Sequence, residues 1–425
     1  MSSSSNDNLK AIGQTVVGQL LTADFAGVRS RFDSQMESLS EDKLKESWEK
    51  IVIEAGSLMQ ILPSKFTEKD HHRIIVIKCQ FQRFNVDVQI VFNEKEQISG
   101  LFFIPVNMPY HTPEYVDKSL FHELDVTVGE GKWALPGTLT LPEGSGPFPC
   151  VILVHGSGPN DMDETIGPNK PFRDLAWGLA SQGVAVLRYD KRTFKYAKEF
   201  TAQDIDEITV KEEVIDDAQE AVRLMHNIKS IDPKNIFVMG HSLGATVMPR
   251  IAIDQDLSGA VMMAGITRSL EETILDQLTY LYNLTGSITE EQKQELETLK
   301  VNVVKLKDPE LVDTMSRQDM PLGIPMVYWK DLHDNNPVDI VKDLKIPLLI
   351  LQGERDYQVL AAVDFEGWKK ALDKNTNASF KVFPKLNHLF IKGEGKSTPQ
   401  EYAVEGHVHK DVIDTLVKWI FENIR

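Results

Sequence analysis

A serine hydroxyl becomes a useful nucleophile when a sharp turn lifts it clear of its strand and a base stands ready to take its proton. Segment 236–250 reads IFVMGHSLGATVMPR, in which Gly240, His241, Ser242, Leu243 and Gly244 spell GxSxG between a strand-like run and a helix-like one. That context favours Ser242 as a nucleophile over the plainer reading of a helix cap. In elbows of this kind an acid and then a histidine follow along the chain. Segment 346–353, IPLLILQG, reads as a buried strand, and Glu354, Arg355 and Asp356 stand at its C-terminal end, where catalytic groups gather in open α/β sheets. Asp356 has the better offset and Glu354 is its competitor; a surface carboxylate paired with Arg355 is the bland alternative. The strand-like run 379–383 leads to His388, on a loop with Leu389 and Phe390 beside it.

Imidazole can take the serine proton near neutral pH. The acid would fix the ring's tautomer and stabilise the imidazolium without being protonated itself. The oxyanion needs backbone donors. One is the N–H of Leu243, and the other is expected from Ser157 in the loop 155–161, HGSGPND, whose glycines allow an inward-turned backbone. A phosphate-cradling loop is the rival reading, but neither GxGxxG nor GK[ST] is present. His241 is expected to project away from the nucleophile, and His407 and His409 fall in the C-terminal helix region.

The elements that must position these groups are short apolar strands alternating with helices. Runs 149–155, 184–189 and 235–239 are strand-like; 171–181 and 210–227 are helix-like, the latter opened by a Thr209–Glu212 capping box. Preceded by strands at 123–128 and 135–141, they imply an α/β fold with a mostly parallel sheet covered on both faces. Within it, 266–337 breaks the pattern with helical spacing and is expected to form a lid. Its Tyr280, Tyr282, Met326, Tyr328 and Trp329 are candidates for an acyl pocket, or else pack the lid against the core, and its acidic run 289–297 reads as a solvated helix face.

Upstream, 9–32 has helical spacing, a second helix is expected after the Ser40 N-cap, and 74–81, 84–92 and 98–104 are strand-like. The organisation expected is a disordered 1–8, a small α+β domain at 9–104, a proline-bearing linker at 105–119 and a catalytic domain at 120–425. No catalytic set shows in the first domain. The neighbours His71 and His72 would face opposite ways on a strand, which argues against a metal pair, and capping of the substrate site or dimerisation is the stronger reading.

HGSGPND, RYDKR at 188–192, GHSLG and GERDYQV, in this order, resemble bacterial α/β-hydrolase esterases related to dienelactone hydrolases and prolyl oligopeptidases, over 120–425. The first domain resembles the NTF2-like domains of unknown function that precede some bacterial hydrolases. The resemblance implies a serine carboxylesterase acting on small to medium acyl esters, with another acyl hydrolase (peptidase or thioesterase) second and a non-catalytic binding module last. Asp190, Lys191 and Arg192 belong to the resemblance and read as a structural ion-pair cluster.

A net charge of −17 argues against nucleic acid and anionic membrane as partners. A small-molecule ester is the expected partner, with no cofactor or metal and a homodimer as an open option. Cys79 and Cys150 stand in apolar runs and suggest neither a disulfide framework nor a metal site. No apolar run has the length of a membrane span, and the first residues lack a secretory pattern. The chain reads as cytoplasmic, or secreted or periplasmic if a leader has been removed.

Overall fold

The computed structural model describes residues 3–69, 72–106, 110–284, 286–308, 310–311 and 315–425. The chain divides into two compact units. One comprises Met1–His111 with Thr165–Asn169 and Pro399–Gly406; the other comprises Thr112–Glu164, Lys170–Thr398 and His407–Arg425.

In the first unit a helix runs over Ser3–Leu21, so the disorder expected for 1–8 is corrected from Ser3 onward. Leu9, Val16, Val17 and Leu20 are fully buried on one face, and the Asn8 side chain donates to Glu96 at 2.7 Å, which anchors the early turns. Nor is the helix continuous to 32. Ala23 takes a positive φ of 57°, and the Asp24 carboxylate accepts from the Gly27 N–H to start a short second helix, Phe25–Arg29. Ser40 caps the helix Glu41–Ala55, which buries Leu44, Trp48 and Ile51. These helices cover an antiparallel sheet of β1 (Leu58–Ile61), β2 (Lys65–Lys69), β3 (His72–Phe81), β4 (Asn85–Phe92) and β5 (Ile98–Val106), in the order β1-β3-β4-β5 with β2 also on β3. His72 opens β3 and is exposed; His71 lies outside the described residues. Within this unit the excursions 165–169 and 399–406 are tied together, Asn169 Nδ2 donating to the Tyr402 carbonyl at 2.8 Å and Gly406 N–H to Asn169 Oδ1 at 2.7 Å.

The second unit is built on β6 (Phe121–Val128), β7 (Leu135–Pro142), β8 (Phe148–Val154), β9 (Ala185–Tyr189), β10 (Ile231–His241), β11 (Gly259–Met263), β12 (Leu348–Gly353) and β13 (Ala378–Phe383). The order is β13-β12-β11-β10-β8-β9-β7-β6. From β8 onward all pairings are parallel; the β6–β7 hairpin joins β9 antiparallel. Residues of β9, β11 and β12 are buried throughout, because helices cover both faces of a parallel sheet. The segment after β11 is helical, at Leu270–Asn283, Glu290–Lys307 and Met326–Asp334, and closes a small apolar core of its own around Ile274, Leu299, Val303, Leu306 and Trp329.

Candidate active site

β10 ends in the elbow. Ser242 sits at φ 52°, ψ −112°, a strained conformation for a residue with a Cβ, and its N–H donates to the Met263 carbonyl at 2.9 Å. Gly244 makes the turn possible, since a Cβ there would stand 2.4 Å from the Val154 carbonyl oxygen at the end of β8. The oxyanion loop therefore lies directly against the elbow: a Cβ on Gly156 would be 3.1 Å from the Ser242 Cβ.

β12 supplies the acid. A Cβ on Gly353 would come within 2.6 Å of the carbonyl oxygens of both Leu386 and Asn387, so only glycine lets the strand end approach the loop that carries His388 so closely. Asp356 Oδ2 then meets His388 Nδ1 at 2.7 Å, and both residues are only 4% exposed. Gln352 Nε2 donates to Oδ2 at 3.0 Å, and the N–H groups of Gln358 and Val359 donate to Oδ1 at 2.8 and 3.0 Å. With all its lone pairs engaged, this carboxylate is fixed in place. Its competitor Glu354 is exposed, and Arg355 turns to the carbonyls of Gly395 and Glu394.

His241 has a part that its place in the sequence did not announce. Its ring lies against that of His388, tilted by 48° with centroids 4.6 Å apart, and its Nε2–H donates to the His388 carbonyl at 2.9 Å. On the other side Nδ1 approaches Glu164 Oε2 at 2.9 Å, a buried ion pair rather than an aligned hydrogen bond. Burial works against charge on both partners. The Glu164 carboxylate nevertheless holds the His241 pKa above its ordinary value, and His241 in turn, with a smaller effect of the Gly156 N–H, holds Glu164 below its own. Glu164 Oε1 accepts that N–H at 2.7 Å. No sequence spacing signals Glu164, because the loop carrying it reaches His241 only through the fold.

Asn160 Nδ2 gathers the carbonyls of Gly156, Ser157 and Gly158 at 3.1 to 3.3 Å, and Lys191 Nζ donates to the Gly156 carbonyl at 2.8 Å. Ser157 is exposed at the loop's turn. Lys191 pairs with Glu213 and Arg192 with Asp217, at 2.6 and 2.5 Å, while Asp190 accepts from the Met162 N–H; burial pushes the Asp190 carboxyl up to about 6. His155 is also buried, which pushes its pKa down to about 4. His407 contacts Asp174 at 3.1 Å, and His409 caps the C-terminal helix.

The five lid residues named as acyl-pocket candidates are placed otherwise. Trp329 is fully buried in the lid core and Met326 packs on it. Tyr328 belongs to the main core, its hydroxyl donating to Glu213 at 2.6 Å. The Tyr282 hydroxyl bonds Glu295 on the outside of the lid, and Tyr280 stacks on Tyr357 and donates to the Ser397 carbonyl at 2.8 Å. None of them lines the cavity of about 580 Å³ that opens beside Leu243. Its apolar walls include Ile266, Leu270, Leu306, Leu332 and Pro337, and its polar ones Thr246, Arg268, Glu271, Lys307, Lys330, His333 and Asp334. Asp356 and His388 do not reach it, so its link to the elbow is Leu243. Among the described residues no helix is long and apolar enough to cross a membrane.

Comparison with known proteins gives the family. Residues 151–404 match the alpha/beta hydrolase family, and residues 14–101 match a family of proteins of unknown function, DUF3887. The chain is 41% identical over 406 residues to esterase EstD of Thermotoga maritima, covering 95% of this chain and 93% of that protein. Among solved structures, Est1E from Butyrivibrio proteoclasticus is 16% identical, covers 71% of this chain and 98% of its own, and has a TM-score of 0.44. The acylaminoacyl peptidase of Pyrococcus horikoshii is 13% identical, covers 85% of this chain and 49% of its own, and has a TM-score of 0.49.

Proposed function

This chain belongs to the α/β-hydrolase family, and on that premise we propose that it is a serine carboxylesterase, hydrolysing small to medium acyl esters through an acyl-enzyme on Ser242. The observation that carries the reading is the buried 2.7 Å contact of Asp356 with His388 Nδ1, on a loop held to His241, the residue before the serine of the strained elbow. With Nδ1 held by the acid, His388 Nε2 is the nitrogen left to take the Ser242 proton. The Ser242 Oγ attacks the ester carbonyl, and the negative oxygen is received by the N–H groups of Leu243 and Ser157. As the tetrahedral centre collapses, His388 returns the proton to the leaving alkoxide and the alcohol departs. Water, deprotonated by the same ring, attacks the acyl-enzyme; as this second tetrahedral centre collapses, the acyl–oxygen bond breaks, His388 gives the proton to the departing Ser242 Oγ and the carboxylic acid is released. Sequence kinship over nearly the whole chain with an esterase supports an ester over an amide or thioester substrate.

The test is turnover of p-nitrophenyl acetate, butyrate and octanoate by wild type and a folded Ser242→Ala variant. Wild type is expected to turn over at least one, and the variant to lose on the order of 10⁴-fold or more in kcat. A folded wild type inert on all three, or a Ser242→Ala variant retaining most of the activity, would sink the assignment.

A further inference from the structure

We propose that Lys191 is a positioning residue for the oxyanion: its ammonium grips the carbonyl of the peptide whose N–H, that of Ser157, receives the negative charge, and it is itself held by Glu213 and the Tyr328 hydroxyl of the lid. The inference rests on the esterase reading and adds to it the side chains that aim one of its two donors.

Gly156 and Ser157 share one peptide unit. In a trans peptide the C=O and the N–H lie in one plane and point opposite ways, so whatever fixes the Gly156 carbonyl also fixes the direction of the Ser157 N–H. That carbonyl accepts from Lys191 Nζ at 2.8 Å and from Asn160 Nδ2 at 3.3 Å. A cation on the carbonyl polarises the peptide and makes the N–H at its other end a better donor. The main-chain N–H of Lys191 donates to the Asn160 carbonyl at 3.0 Å, so this one residue clamps the loop at both ends. Among the described residues the N–H groups of Ser157 and Leu243 have no hydrogen-bond partner, as donors kept for a ligand would not.

Lys191 is buried, and so are the groups that hold it. Its Nζ stands 2.6 Å from Glu213 Oε1, and Glu213 Oε2 accepts from the Tyr328 hydroxyl at 2.6 Å. Burial, with the Glu213 carboxylate beside it, raises the Tyr328 pKa well above its ordinary value, so the hydroxyl keeps its proton and stays a donor. With both carboxylate oxygens engaged, the ammonium has one place to stand. A buried ion pair contributes little net stability, because desolvation offsets the attraction; what this one supplies is direction. Tyr328 lies on the lid helix Met326–Asp334, one turn before Asp331, whose carboxylate accepts from Arg250 at 2.9 and 3.0 Å. Arg250 belongs to the helix Met248–Ala252 that follows the elbow. The lid helix is thus fastened both to the elbow side and, through Glu213 and Lys191, to the oxyanion loop.

The experiment measures p-nitrophenyl butyrate turnover, and the affinities of an alkyl trifluoromethyl ketone and of the secondary alcohol with the same skeleton, in wild type, Lys191→Met and Tyr328→Phe. Ser242 Oγ adds to the ketone carbonyl carbon, its proton passes to His388, and the carbonyl electron pair moves to the oxygen, which becomes the negative group the loop must receive. The alcohol cannot be attacked and makes no such demand. Lys191→Met keeps the apolar stem and removes the charge. It is expected to lose roughly 10- to 100-fold in kcat with KM within about threefold, and to lose ketone affinity by the same factor while alcohol affinity holds. Tyr328→Phe, which removes one oxygen atom, should show the same signature at roughly 3- to 10-fold. A kcat loss below about 10-fold in folded Lys191→Met, or equal losses of ketone and alcohol affinity, overturns the proposal. If that variant does not fold, Tyr328→Phe decides, and an unchanged kcat there overturns it. Failure of the esterase reading looks different, since wild type would then neither turn over the ester nor bind the ketone better than the alcohol.

Discussion

Glu164 gathers three parts of the site at one carboxylate. One oxygen holds the Gly156 N–H, the other faces His241, and His241 fixes the carbonyl of His388. These contacts make it a positioning residue for both the loop bearing Ser157 and the proposed base. Glu164→Ala is expected to lower kcat by roughly 10- to 100-fold with a smaller change in KM, since misplacing reacting groups by about 1 Å has effects of that order, and Glu164→Gln should recover part of the loss. The pair also gives a pH signature. The depressed pKa of Glu164 contributes stability that is present above about pH 4.3 and lost as pH falls through the folded value. The raised pKa of His241 contributes stability present below about pH 6.5 and lost as pH rises through the folded value. Asp356 and His155 are the other ionisable groups acting on the pair. Melting curves across pH should therefore show the Tm penalty of Glu164→Gln largest near pH 5 to 6 and smaller at pH 9. A penalty that is flat with pH would mean that the pair is not charged in the folded protein.

At the scale of the element, the elbow stores strain because β10, the oxyanion loop and the helix Leu243–Thr246 converge where no ordinary turn fits. Glycine at position 242 would adopt φ 52° without a Cβ penalty, so Ser242→Gly is expected to melt above Ser242→Ala by the equivalent of about 1–3 kcal/mol, both being inactive. Equal melting temperatures would place the strain elsewhere. This strained turn was also the part most legible in the sequence, because GxSxG between an apolar strand and a helix has few other uses, and the buried strands announce themselves as unbroken apolar runs. The order of Asp356 and His388 followed from the same logic. What the sequence did not disclose depends on tertiary contact. The turn at Ala23 and Asp24 interrupts an otherwise helical spacing, β1 is too short and β2 too polar to stand out, and Tyr282, Tyr328 and Trp329 have the composition of a pocket but the packing of a scaffold. Glu271 and His333, which meet on the cavity wall, gave no signal, lying far apart on a segment read only as helical.

For the whole molecule, the division into units does not follow the chain. The unit that contains the first 111 residues also contains Thr165–Asn169, which begins at the residue after Glu164, and Pro399–Gly406. In that unit the Gly167 N–H donates to the Gln82 carbonyl at 2.5 Å, β1 packs on the turn Pro399–Ala403, and His111 meets Glu405 at 2.7 Å. Removal of residues 1–111 would therefore leave two catalytic-chain segments without the sheet they fold with, and would uncover Tyr402, which is now 6% exposed. One of the freed segments is joined directly to the residue that positions the oxyanion loop. The truncated chain is expected to melt lower by on the order of 5 °C or more and to lose kcat as well as stability, rather than to behave as an enzyme relieved of an appendage. Calorimetry, butyrate ester kinetics and mass in solution, measured on the same preparations, separate the possibilities. An unchanged Tm and kcat/KM, with the mass falling from that of two full chains to that of one truncated chain, would make the first unit a dimerisation module alone. Unchanged values with the mass of a single chain in both would leave it without a part in the esterase's stability, assembly or turnover of this ester.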